Sequence, residues 1–271
     1  MSRFPKWAVS VIAIGLAAIH LLPLYIAATV AFKKTTDLSS RWRFPGYFYL
    51  DHFKQAFTEG HLLRAFSNTV VLTVATALLL VLIGSVAAYP LSRVKTKLSR
   101  GVMNAILGVM MIPTLSVIVP LYSFMHQLHA LNTYWGIVLV STAFNLPLGI
   151  FLYANFINTI PKELDEAAKV DGCGHYRLFF RIILPQLKPV TAAVVILKGL
   201  KVWNEYEFPL YFLQKPQNQT ITLAISHFFS DTSSDFGSAS AAAVLAVLPV
   251  TVIFLALQKY FVSGLSDGAI K

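Results

Sequence analysis

Trp203, Asn204, Glu205 and Tyr206 are four consecutive residues with binding chemistry, set inside an otherwise apolar run over residues 190–213. Two aromatic rings can stack on the C–H face of a sugar-like ring, while an amide and a carboxylate hydrogen-bond its hydroxyls. The same run holds Lys198, Lys201, Glu207 and Pro209. If such a run crosses a bilayer, a charge at its centre costs about 2.5–3.5 kcal/mol on insertion scales. The acids therefore need a purpose. One reading is structural: they reach for the outer surface, or Glu205 pairs with Lys201 one turn away. The other is a polar path for a solute, favoured because ionisable groups within a membrane are functional by default. Helix rise places Asn204 about 21 Å beyond Val190, in the outer half of a membrane. Asn145, an amide in the apolar run 134–156, needs a partner inside the bundle and is assigned to the same path. Lys198 and Lys201 are expected to snorkel inward.

No catalytic or metal-binding set accompanies these residues. The single cysteine excludes an internal disulfide and a cysteine metal cluster. Seven histidines are scattered without an HExxH pair, and no GxxxxGK[ST] phosphate loop occurs, so the chain itself is expected to bind neither metal nor ATP. A net charge of +10 would suit nucleic acid. That partner is rejected, because the bases cluster at the ends of apolar segments and no basic patch is interleaved with aromatics.

The elements that must position the site are apolar spans. Of 271 residues 56% are apolar and 13% charged, far below the quarter typical of soluble domains. Mean hydropathy is +0.65. The fold class expected is all-α: one polytopic membrane domain over residues 1–271 with six spans, at about 7–32, 66–91, 102–125, 134–156, 190–213 and 241–262. The first run is too long for a cleaved leader. Arg93, Lys95, Lys97 and Arg100 form a purely basic loop, the clearest mark of an inner face. Thirteen Lys and Arg fall on the proposed inside and seven on the outside, which supports both termini being cytoplasmic. The aromatic stretch from Trp42 to Phe57 is expected outside, as interfacial packing.

One segment breaks the apolar pattern. Residues 157–189 form an inner loop whose section from Pro161 to Pro189 carries four acids and five bases. Pro161 suits a helix start, with Glu163, Asp165 and Glu166 at the positive helix end. Leu164, Ala167, Ala168 and Val170 can share a face. Gly172 and Gly174 end that helix, and Pro185 and Pro189 stop a second one beginning near His175. By pattern alone this is equally an amphipathic loop on the membrane surface or a docking element for a soluble partner.

The residues Glu166-Ala167-Ala168, three more, Gly172, nine more, then Ile182-x-Leu184-Pro185 resemble the EAA loop of ABC importer permeases. The section from Trp203 to Leu210 resembles the WNEF…PL element of carbohydrate permeases of the maltose-permease type. So do Pro161 to Ala168 and the tail from Phe261 to Lys271, and the likeness covers nearly the whole chain. It implies that Glu163, Leu164, Glu166, Ala167, Ala168, Asp171, Gly172, Leu184 and Pro185 form coupling helices seated on an ATPase. It also implies a sister permease, two ATPase copies that bind ATP and Mg, an extracytoplasmic sugar-binding protein, and a multi-pass place in the bacterial cytoplasmic membrane. Phe44–Phe57 and Gln214–Phe236 become the candidate contacts for the binding protein. The resulting expectation is a non-enzymatic permease that moves a sugar or oligosaccharide by alternating access. The rivals are an ABC permease for another solute and an ATP-independent secondary transporter. A phosphate-bearing solute would want Arg in the path, and residues 190–213 hold none. A secondary transporter would place acids in several spans and show inverted repeats.

Overall fold

A computed structural model describes residues 5–229 and 235–269, except for the side chains of residue 6 and of residues 257–269. The basic start at residues 1–4, residues 230–234 of the second proposed outer contact, and the side chains of the tail motif lie outside the described residues. The described chain is helical throughout: α1 (Lys6–Phe32), α2 (Asp51–Thr58), α3 (Leu62–Arg93), α4 (Lys97–Val109), α5 (Ile118–Gln127), α6 (Tyr134–Thr159), α7 (Glu163–Val170), α8 (His175–Leu178), α9 (Leu184–Gln186), α10 (Lys188–Trp203), α11 (Glu207–Phe212), α12 (Ile221–Ser226) and α13 (Phe236–Ala269). Four of these, α1, α3, α6 and the apolar part of α13, are long and apolar enough to cross a membrane. Counting each of two bent helix pairs as one span raises the number to six.

The chain divides into two compact units. The first joins residues 1–64 to residues 223–249. Its long helix α1 leaves Val11, Ile12, Ile14 and Ile19 exposed, as a lipid-facing helix should. The outer loop folds back on the end of α1. The Phe32 ring lies 4.9–6.0 Å from those of Phe44, Phe48 and Phe53. Lys33 donates through Nζ to Ser39 O, Ser39 Oγ and Ser40 O. Lys34 lies over the Tyr47 ring and Arg41 over the Phe236 ring. Four of the aromatics thus cluster by their rings at the end of α1, while Trp42, Phe44, Phe48 and Phe57 stay exposed.

The second unit holds residues 65–222 and 250–271. One of its apolar clusters joins Ala88 of α3, Tyr153 and Ile157 of α6, and Val190 and Val194 of α10. Another joins Leu72, Met125, Val140, Phe208 and Phe212. Two expected spans are not single helices. The span expected at 102–125 is broken between α4 and the Thr114–Gln127 segment, with a bend of 94°. Pro113 is extended, at φ −63 and ψ 130, and disfavours helical backbone at Ile112 before it. The span expected at 190–213 stops at Trp203, and a separate short helix, α11, follows. Pro209 explains this break: continued helix would drive its ring against the carbonyl of Glu205.

Candidate functional site

The polar loop is built as two short helices around a tight turn. Helix α7 places Glu163, Asp165 and Glu166 in its first turn. Its end is closed by Gly172 at φ +76, a left-handed backbone that favours glycine. Gly172 N donates to Lys169 O at 3.0 Å and Cys173 N to Ala168 O at 2.9 Å, the paired bonds of a Schellman turn. Asp171 caps the helix, its amide bonded to Ala167 O. The second helix runs through α8, a π-helical turn at Phe179–Ile183, and α9.

Two sides of the loop differ. Ala168, Leu178, Phe179 and Ile183 are buried in the cluster with Ile157 and Ile160, and Leu184 packs against it. Leu164, Val170, Tyr176 and Phe180 are exposed beside the exposed Glu163, Glu166, Ala167 and Pro185. Large apolar side chains rimmed by charge mark a surface that meets another protein or the membrane face.

Asp165 had no special standing among the loop's acids, and the structure gives it one. Its Oδ2 lies 2.7 Å from Arg93 Nε, with both side chains more than nine-tenths buried. Tyr89 OH donates to the same carboxylate at 3.4 Å. Arg93 Nη1 donates to Ile160 O at 3.0 Å. The last turn of α3 therefore holds the start of α7 through a charge pair and the residue before the loop through a carbonyl. A buried charge is tolerated only when paired in this way. The signal available in the sequence was weak: one of three acids in the first turn of α7 and an arginine among four neighbouring bases.

The aromatic and polar quartet after α10 sits at the break. Trp203 is buried, its ring edge-on to Phe66 at 5.5 Å. Asn204 is exposed and caps α10, its Nδ2 donating to Leu200 O at 2.9 Å. Tyr206 is 39% exposed. Glu205 forms no ion pair with Lys201 among the described residues. Its Oε1 instead accepts from the Glu207 amide at 3.2 Å, and its carbonyl accepts from Thr222 Oγ1 at 2.7 Å. Asn145 lies apart from the quartet, buried in α6, with Nδ2 donating to Ser141 O at 2.8 Å. The five residues thus form no single cluster: Asn204, Glu205 and Tyr206 share the break, while Trp203 and Asn145 are packed. Lys198 departs from the expected snorkelling. It is buried, and with Lys201 it lines a cavity against α6.

Comparison with known proteins bears on this architecture. The family model described as "Binding-protein-dependent transport system inner membrane component" matches residues 55–267. The Bacillus subtilis melibiose/raffinose/stachyose import permease protein MelC is 42% identical, over 97% of this chain and 96% of its own length. The B. subtilis maltodextrin transport system permease protein MdxG is 33% identical over 94% and 92%. A bacterial ABC transporter involved in the import of the acidic polysaccharide alginate superposes with a TM-score of 0.80, covering 96% of this chain and all of that one. At 19% identity that likeness speaks for the fold alone.

Proposed function

The chain belongs to the family of inner membrane components of binding-protein-dependent transport systems, and from that premise we propose that it is a permease subunit of an ATP-driven importer for a sugar or oligosaccharide. The observation that carries the reading is the loop of residues 161–187. It exposes an apolar face with a rim of mixed charge and is tied to the membrane helix α3 by a buried ion pair. The names of the relatives, which transport melibiose, raffinose, stachyose and maltodextrin, support sugar as the cargo. Nothing favours an ATP-independent transporter.

In this reading the chain does no covalent chemistry. Two ATPase copies bind ATP and Mg, and one of them receives the exposed Glu163, Leu164, Glu166, Ala167, Asp171, Gly172 and Pro185; Ala168 and Leu184, expected in the same contact, face the chain's own apolar cluster and back that surface from within. A sister permease completes the membrane path. An extracytoplasmic binding protein delivers the sugar to the outer segments around Phe44–Phe57 and Gln214–Phe236. Both termini face the cytoplasm. When the ATPases close, α7 moves, and the Arg93–Asp165 pair carries that motion into α3. Asn204, Glu205 and Tyr206 are the groups of this chain that meet the solute. Trp203 backs them, and Asn145, bonded within α6, stands apart from them.

The test is co-purification of the tagged chain from membranes, with and without Glu166→Lys. Recovery of an ATPase, a second permease and a sugar-binding protein with the unaltered chain is the expected result. Glu166→Lys should lose the ATPase and sugar uptake while keeping the second permease. Normal uptake by that variant would sink the docking role, and an unaltered chain that purifies alone yet transports would sink the importer reading.

A further inference from the structure

We propose that the cavity at Lys198 and Lys201 is a subsite that accepts a carboxylate within the membrane; this rests on the importer reading above and narrows its solute. The cavity has a volume of about 360 Å³. Lys198 and Lys201 of α10 form one wall, Phe144 and Pro147 of α6 another, and Met110 and Thr114 at the break in the third span a further one.

Three observations converge on a bound anion. First, the two lysines are three residues apart on one helix and so share a face. Lys198 is 6% exposed. Neither lysine has an ion-pair or hydrogen-bond partner among the described residues. Glu205 acts on Lys201 by charge without forming an ion pair, and its carboxylate accepts from the Glu207 amide; among the described residues no acid acts on Lys198. An ammonium as buried as that of Lys198 stays charged only beside a countercharge, and among the described residues none acts on it.

Second, the depth is that of a solute site. Lys198 lies about 15 Å along α10 from Lys188, near the middle of a bilayer some 30 Å thick. The facing wall is the point where the backbone turns through 94° between α4 and the Thr114–Gln127 segment. Interrupted helices near the midplane are where transport proteins place their solutes, because unwound backbone and helix ends offer polar groups there.

Third, the volume falls in the range of small-molecule sites and exceeds what one side-chain carboxylate fills. A neutral sugar ring would leave the Lys198 ammonium uncompensated. A uronic acid residue would lay its ring against the wall of Phe144 and Pro147 and its carboxylate on the lysines. The same group could come from an Asp or Glu of a facing permease, and the experiment separates the two sources.

The complete transporter in lipid nanodiscs is titrated with digalacturonate and with the neutral disaccharide galactobiose. The proteins compared are the unaltered complex, Lys198→Gln, Lys201→Gln and Lys198→Arg. If the solute brings the carboxylate, either Gln variant should weaken digalacturonate binding about tenfold or more, the effect of losing a charged hydrogen bond. Lys198→Arg should retain much of it, and galactobiose should be unaffected. If the sister permease brings it, a membrane-permeant carbodiimide should join Lys198 to one of that subunit's carboxylates, mapped by mass spectrometry and absent in Lys198→Gln. Digalacturonate binding that ignores all three substitutions, together with no cross-link at Lys198, would overturn the proposal. A complex that fails to assemble from unaltered subunits would instead overturn the importer reading. Lys201 is exposed, so its Gln variant provides the test even if Lys198→Gln does not fold.

Discussion

In the loop of residues 161–187 the buried carboxylate of Asp165 meets a guanidinium from another helix at 2.7 Å. At the break after Trp203 the carboxylate of Glu205 meets no ion-pair partner among the described residues and accepts from the amide of Glu207, two residues along, at 3.2 Å. Both lie beside apolar helices, and the contrast is one of reach. The first contact ties together elements far apart in the chain, so moving α7 must move α3. The second is confined to one turn, and the backbone there is held by Thr222 rather than by the side chains. In the proposed reading, the polar residues that transmit force are closed on each other, and those that meet a solute are left open. A transporter needs both, since a lever must be stiff and a binding surface must exchange partners.

The largest expected effect breaks the stiff side of this contrast. Removing one member of a buried ion pair costs about 3–5 kcal/mol. Arg93→Asp or Asp165→Arg should abolish uptake and lower the Tm of the purified chain, and the double exchange should restore part of both. If either single variant transports normally, the pair transmits nothing. Gly172→Ala should cost about 1–2 kcal/mol, because a Cβ at φ +76 is strained although it would meet no neighbouring atom. Its Tm should fall while ATP used per sugar moved stays constant, which sets strain in the turn apart from loss of coupling. Asn204→Ala tests the open side. Its amide bonds only within its own helix, so stability should change by roughly 0.5 kcal/mol or less. Uptake should nevertheless fall, with the ATPase still bound; loss of assembly would mean that Asn204 packs rather than binds.

A smaller effect concerns the outer loop and acid. Hydrogen bonds from Ser39, then Tyr47 at 2.6 Å, hold the Asp37 carboxyl well below the usual carboxylate range. A depressed value stabilises the folded loop above the ordinary carboxylate pKa, near 3.9, and the benefit fades as pH falls through the folded value. Hydrogen exchange of residues 37–47 should therefore stay slow down to about pH 4 and rise only in stronger acid. Asp37→Asn should raise it at neutral pH and remove the acid dependence.

Much of this arrangement was legible in the residues. The long runs that became α1, α3, α6 and α13 could hardly be anything but spans, and Pro161, Gly172 and Pro185 marked the loop's two helices. The two breaks were less visible because hydropathy is uniform across them. Met110, Met111 and Ile112 are as apolar as the helices on either side, and only Pro113 hinted that the chain turns there. Pro209 gave the same hint for the fifth span, four residues downstream of the carbonyl it displaces. The Asp165 anchor was out of reach for a different reason. Tyr89 and Asp165 are 76 residues apart, and no local pattern distinguishes the acid that turns inward from those that face out. The burial of Lys198 was missed because snorkelling assumes a single helix in lipid, whereas α6 and the break stand beside it.

The π turn at Phe179–Ile183 has a consequence for how this loop can change over evolutionary time. Its wider winding lets Leu184 N bond to Phe179 O, five residues back, just before Pro185, whose missing N–H leaves the regular ladder incomplete. Such a turn is one residue longer than the α-helical turn it replaces. Deleting any one of its five residues would heal the hydrogen-bond ladder and at the same time swing everything downstream by about 100°. Helix α10 would then present a different face to α6, and the loop would no longer agree with the span it leads into. Substitutions are tolerated one side chain at a time, but a single-codon deletion here changes the gearing of the whole machine.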